Sequence, residues 1–142
     1  MPARSSSARW EGDIMQGAGT MKIGSGAWEG PYSFKSRFED GKGTNPEELI
    51  AAAHAGCYSM ALSAALSKAG SPPTSVETTA EVKLEKADGG FQIPSIHLKT
   101  SATVPGIDDA KFQKFAEDAK KNCPVSKVLA AAEITLDAKL KS

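Results

Sequence analysis

A chain of 142 residues is the size of a single domain and is long enough to enclose a hydrophobic core. Lys and Arg total 17, as do Asp and Glu, so a formal net charge of zero leaves no basic surplus of the kind that holds nucleic acid or an anionic membrane. With 40% apolar and 24% charged residues the composition is that of an ordinary globular protein, not of a disordered or fibrous one.

Residues 1–7 carry one arginine and no apolar run, which reads as a flexible leader rather than a secretory signal and gives cytoplasmic as the expected location. In that reducing compartment Cys57 and Cys123 are expected as free thiols, catalytic thiols or metal ligands rather than a permanent staple, and two cysteines also suffice for a reversible disulfide. Short alternating runs at 9–14, 19–23 and 31–38, separated by glycines, predict an antiparallel meander. In the third run, strand alternation would put Tyr32, Phe34, Ser36 and Phe38 on one face and Arg37 on the other.

A polar loop at 39–43 leads into a long apolar stretch, 45–70. Asn45 suits the N-cap, Pro46 the first helical position, Glu48 the third, where a carboxylate can reach back, and Gly70 the stop. Apolar residues lie nearly all round this helix, which predicts a buried core element with Tyr58 and Met60 inside. His54, Ser59, Ser63 and Ser67 interrupt it, and it is the single such segment, so it is read as the core of a soluble domain and not as a membrane span.

Runs at 76–85 and 96–104 alternate about a turn at 88–90 and predict a hairpin. Asp108 or Asp109 can cap a second helix to about Lys121, burying Phe112, Phe115, Ala116 and Ala119. Pro124 then starts a short helix, and 134–140 is a final strand. The expected fold is α+β, one domain over 1–142, with largely antiparallel pairing.

A thiol ionises only slightly at neutral pH, so a reactive cysteine needs a cation or helical amides beside it. Cys123, just before Pro124, stands at a helix start, whereas Cys57 lies mid-helix and would depend on an external cation. Each candidate also has a plain structural role. Cys57 can be inert packing, Glu47 a partner of the helix dipole, Glu48 a cap, and His54 a packed or solvated residue although it lies three positions before Cys57. His97 sits in a strand, and the scattered His and Cys positions lack zinc-ligand spacing.

The stretches 45–49, 54–62 and 122–129 resemble the OsmC/Ohr family of thiol peroxidases, in its OsmC branch, and the resemblance runs from Trp10 through Arg37 to the last strand. Gly56 stands where relatives often carry alanine. The resemblance implies an OsmC-like fold, antiparallel sheets around a long central helix in an intertwined homodimer. It also implies a two-cysteine cycle in stress defence, with Cys57 peroxidatic, Cys123 resolving, and Arg37 with Glu47 holding and activating the Cys57 thiol through a bidentate ion pair. The substrates implied are organic hydroperoxides and hydrogen peroxide, reset by an external dithiol, with no cofactor and no metal.

Helix geometry adds a constraint of its own. From Glu47 to Cys57 a straight helix rises about 15 Å and turns through roughly 280°, so the two side chains cannot meet on one helix. Two such helices crossing antiparallel near Ala52 would bring Glu47 of one level with Cys57 of the other, which predicts an obligate dimer with two shared sites. Other readings remain. The apolar helix and meander could enclose a small hydrophobic ligand in a non-catalytic binding module, with Tyr58, Met60 and Phe38 as walls. A Cys57–His54 acyl transferase lacks an identifiable oxyanion hole.

Overall fold

The structure, a computed structural model, describes residues 1–141 and divides into two compact units, Met1–Leu49 and the chain from Ile50 onward. In the first, β1 (Ser6–Glu11), β2 (Ala18–Ile23) and β3 (Glu29–Tyr32) form the expected antiparallel meander, in the order β1-β2-β3. Gly19 of β2 pairs with Trp10 on one side and Tyr32 on the other. A Cβ at Gly19 would come within 2.5 Å of the Tyr32 ring and 2.8 Å of the Trp10 ring, so glycine is what lets these two rings meet across the strand, 5.4 Å between centroids.

The third strand is shorter than its alternation predicts. It ends at Tyr32, and residues Phe34–Phe38 form a one-turn helix, α1. The cause is a capping box: the Ser36 N–H donates to Ser33 Oγ, and the Ser33 N–H donates back to Ser36 Oγ. Helical spacing then stacks Phe34 and Phe38, four apart, at 4.9 Å between ring centroids. Gly43, at φ +118°, turns the chain back so that the Thr44 N–H donates to Pro31 O at 2.8 Å. The long helix α2 (Pro46–Lys68) begins as expected, the Glu48 N–H donating to Asn45 Oδ1 at 2.8 Å. The Glu48 carboxylate does reach back, but it accepts from the Thr44 hydroxyl.

In the second unit β4 (Ser75–Val82) pairs antiparallel with β7 (Ser95–Thr103), and a small hairpin of β5 (Glu85–Ala87) and β6 (Gly90–Gln92) turns between them. Asp108 caps α3 (Asp109–Asn122), α4 (Pro124–Val128) follows, and β8 (Glu133–Lys141) closes the order β4-β7-β8. β8 runs parallel to β7, while the other four described strand pairings are antiparallel, in keeping with the largely antiparallel expectation. The two helices between β7 and β8 form the crossover that parallel pairing requires, returning the chain to the start of β7.

The α2 stripe His54, Tyr58, Leu62 and Leu66 is fully buried. Tyr58, Leu62 and Leu66 pack in one cluster with Leu98 and Ala102 of β7, Val104, and Phe112 and Ala119 of α3. Each buried leucine contributes about 1.5–3 kcal/mol. The helix is not buried all round, however. Ala52, Ala53, Gly56, Met60 and Ala64 are exposed, and Met60, expected in the core, is 76% exposed. By length and composition α2 could cross a membrane, yet only 22% of its apolar window is buried. Its i, i+4 periodicity gives one stripe to the chain's own core and leaves a second apolar stripe uncovered.

Candidate functional site

In the N-terminal unit a polar scaffold aims Arg37. Ser36, buried in the middle of α1, donates its hydroxyl to Thr44 O at 2.7 Å, and Asn45 Nδ2 donates to Ser36 O at 3.1 Å. These bonds fasten α1 to the first turn of α2, which carries Glu47. Arg37 Nε donates to Glu47 Oε1 at 2.8 Å. The pair expected from sequence is therefore present, but it engages one carboxylate oxygen and not two. Glu47 is 7% exposed, and its Oε2 is buried without a hydrogen-bond partner among the described residues.

Arg37 also lies over the Phe38 ring, 5.4 Å from its centroid. Beside it opens a cavity of about 230 Å³ lined by Trp10, Ile14, Tyr32, Ser33, Phe34, Arg37 and Phe38. Of the apolar walls expected from sequence, Phe38 is here, while Tyr58 is fully buried in the other unit with its hydroxyl on Ala116 O. Strand alternation over 34–38 does not bring Trp10, Tyr32 and Phe34 together with Phe38; the helical turn of α1 does. The Ser33-x-x-Ser36 spacing was the signal that could have found it.

In the C-terminal unit Cys57, midway along α2, and Cys123, the N-cap of α4, stand with their sulfurs 2.8 Å apart although 66 positions separate them in sequence. Both are free thiols. A disulfide bond is about 2.0 Å long, so closing it takes a movement of less than about 1 Å. Cys57 is half-buried and Cys123 completely buried, so a dissolved reagent meets Cys57 first.

The two sulfurs share a proton. Burial, followed by the hydrogen bond with Cys123, pushes the Cys57 thiol up, against a weaker pull from the Val125 amide. At Cys123 burial also pushes upward. The bond with Cys57, the Ser126 amide, the Ser126 side chain and the Val125 amide together outweigh it and hold this thiol below its ordinary value. The Ser126 N–H lies 3.5 Å from Cys123 Sγ. Either sulfur can donate in principle. The amides converging on Cys123 leave the proton on Cys57, the order of acidity read from local sequence. With only five residues, α4 adds little dipole beyond those amides.

His54 does not face Cys57. Its Nε2 lies 2.7 Å from Ser126 Oγ, and its Nδ1 is buried with no partner among the described residues. Without a histidine on Cys57 the acyl-transfer reading loses its base. Ser126 was not singled out from sequence; its place three residues after Cys123, where an N-cap side chain meets a backbone amide, was the available signal. His97 pairs through Nδ1 with Thr135 Oγ1 at 2.6 Å, away from both cysteines along β7 and β8. Among the described residues no three His, Cys, Asp or Glu side chains gather as a metal set.

A family model described as OsmC-like protein matches residues 39–139, a span that includes both cysteines and Glu47 but begins after Arg37. Peroxiredoxin OsmC of Escherichia coli (strain K12) is 57% identical to this chain over 136 residues, covering 95% of this chain and 94% of its own. The organic hydroperoxide resistance protein of Xanthomonas axonopodis pv. citri (strain 306) is 35% identical over 89 residues, 61% of this chain and 59% of its own. In fold, the organic hydroperoxide resistance protein OhrB of Bacillus subtilis is similar with a TM-score of 0.68 at 24% identity, covering 96% of this chain and 98% of that one.

Proposed function

The chain belongs to the family of OsmC-like proteins, and on that premise we propose that it is a thiol-dependent peroxidase that reduces organic hydroperoxides and hydrogen peroxide in stress defence. The observation that carries the reading is the half-buried Cys57 sulfur standing 2.8 Å from the sulfur of a buried second cysteine. A Cys57 thiolate attacks the outer oxygen of the O–O bond. The bond breaks, the alkoxide or hydroxide takes up a proton and leaves as alcohol or water, and Cys57 becomes sulfenic acid. The Cys123 thiolate then attacks the Cys57 sulfur, the hydroxyl departs as water after protonation, and a disulfide forms before further oxidation can occur. Two electrons from an external dithiol restore both thiols.

Burial, Cys123 and the Val125 amide are what act on the Cys57 thiol, and no cation is among them within the described residues. Arg37 is the cation for it, and Glu47 fixes the guanidinium. Because Glu47 and Cys57 stand about 15 Å apart along one helix, these groups are supplied to each cysteine by a second copy of the chain. The uncovered stripe of Ala52, Gly56, Met60 and Ala64 supports that pairing, since small residues let two helices approach closely and a Cβ at Gly56 would meet nothing within 4 Å in a single chain. A dimer covering this stripe keeps α2 out of lipid, and the cytoplasm, with its dithiol reductants, is the compartment that suits the cycle.

The cavity beside Arg37 takes the alkyl tail of an organic hydroperoxide, its aromatic rings covering the chain while the guanidinium meets the peroxide oxygens. Peroxide consumption with dithiothreitol as reductant tests the whole reading. Cys57→Ser is expected to lose at least about a thousandfold of the activity; undiminished turnover would remove Cys57 from its role.

A further inference from the structure

His54 is a titratable side chain that the cycle above leaves without work. It is fully buried, its Nε2 lies 2.7 Å from Ser126 Oγ, and its Nδ1 has no partner among the described residues. Ser126 is itself 3% exposed, and its amide points at Cys123 Sγ. Burying a histidine and a serine together is costly unless their bonds are well used. The lone Nδ1 indicates the tautomer. With the proton on Nε2, Nδ1 is a bare lone pair, whereas the other tautomer would bury an N–H with nothing to receive it, the rarer kind of orphan. His54 Nε2–H therefore donates to Ser126 Oγ, and the serine proton is left free for Cys123, whose thiol the Ser126 side chain helps to hold down beside the amide at 3.5 Å.

We propose that His54 and Ser126 form a buried relay that holds Cys123 as the attacking thiolate when the disulfide closes and as the departing thiolate when it is reduced. The proposal rests on the Cys57–Cys123 cycle argued above and names what drives its second half. In closure, the Cys123 lone pair forms the S–S bond while the S–O bond of Cys57 sulfenic acid breaks. In reduction, a thiolate of the external dithiol attacks Cys57 Sγ, the S–S bond breaks, and its electron pair leaves on Cys123. The dithiol's second thiolate then releases Cys57 and closes the reductant's own disulfide. A better stabilised Cys123 thiolate is the better leaving group, so the relay also directs the reductant to the more accessible sulfur, Cys57. Ser126 touches the reacting sulfur; His54 is a positioning residue that acts through it.

The test follows the sulfenic acid with a 1,3-dicarbonyl trap after one equivalent of hydrogen peroxide, and disulfide closure by mass spectrometry. Ser126→Ala is expected to slow closure about tenfold, the worth of one hydrogen bond to a charged acceptor, with sulfenic acid accumulating. His54→Leu should do the same, and the double variant should be no slower than Ser126→Ala, because the two act in series. His54→Gln, which keeps a donor at about the reach of Nε2, should recover most of the rate. In a Cys57→Ser background, the thiolate absorbance of Cys123 should titrate at higher pH when Ser126 is alanine. Wild-type closure in Ser126→Ala, additive losses, or a His54→Gln variant as slow as His54→Leu would overturn the relay. So would an equal slowing of the first oxidation of Cys57, which marks general damage. Should the leucine variant not fold, Ser126→Ala and the titration decide. Should the wild type form no sulfenic acid at Cys57, the peroxidase reading fails, and the Cys123 titration still judges the relay separately.

Discussion

In the N-terminal unit a guanidinium and a carboxylate ten positions apart meet at 2.8 Å, while in the C-terminal unit two sulfurs 66 positions apart meet at the same distance. The first contact is local, made by a one-turn helix, a capping box and the start of α2. The second is long-range and exists only because α3 and α4 carry the chain back to α2. Their chemistry is complementary as well. One has a fixed cation and no thiol, and the other has two thiols, of which the accessible one is the harder to ionise. On the proposed cycle neither is a complete peroxidase site by itself, and the cation and the accessible thiol are drawn from different copies.

Mixing inactive chains tests that complementarity most severely. Arg37→Gln should cost about a hundredfold in activity and Cys57→Ser about a thousandfold. After random re-pairing about half of the dimers would be mixed, each with one site carrying both defects and one carrying neither, so the mixture should regain about a quarter of the wild-type rate. A mixture as inactive as its components would place both groups in one chain. The uncovered stripe of α2 gives the next test. Met60→Asp would bury an unpaired carboxylate at that face and should weaken dimerisation by about a hundredfold or more in sedimentation, with activity lost alongside. A fully active, dimeric Met60→Asp would move the interface elsewhere.

Two smaller effects sharpen the contrast between the units. Burial holds the His54 pKa below 6.5, so the unfolded chain takes up a proton that the folded chain refuses. Stability is then fully present above about pH 6.5 and falls as the pH drops toward the folded value, with a slope of up to about 1.4 kcal/mol per pH unit. Urea unfolding of His54→Gln should show a flatter acid limb than the wild type. In the N-terminal unit Asn45→Ala should lower stability by about 1 kcal/mol through loss of the cap to Glu48 N–H, a change visible as a small drop in thermal midpoint.

Much of the fold was legible because it is written locally. Gly-punctuated alternation marked β1, β2 and β3, Asn45 and Pro46 marked the head of α2, and Asp108 the head of α3. Where reading failed, two local signals competed or a distant one decided. Alternation in 34–38 argued for a strand, and the Ser33–Ser36 box made a helix instead, which in turn built the aromatic cavity beside Arg37. Met60 is apolar on an apolar helix, and nothing in its neighbours says that the chain supplies a core to only one face.

Sequence by itself determined the family, through the stretches around Cys57 and Cys123, and it set Glu47 ten residues before Cys57, which a straight helix turns into a rise of about 15 Å. Tertiary structure decided how these residues are deployed. The parallel β8, the 2.8 Å between sulfurs, the single-oxygen ion pair and the burial of His54 against Ser126 are long-range or side-chain facts, set by crossover helices and by packing. Local propensity can place a cap or a turn. It cannot say which of two apolar helix faces the rest of the chain has enough surface to cover.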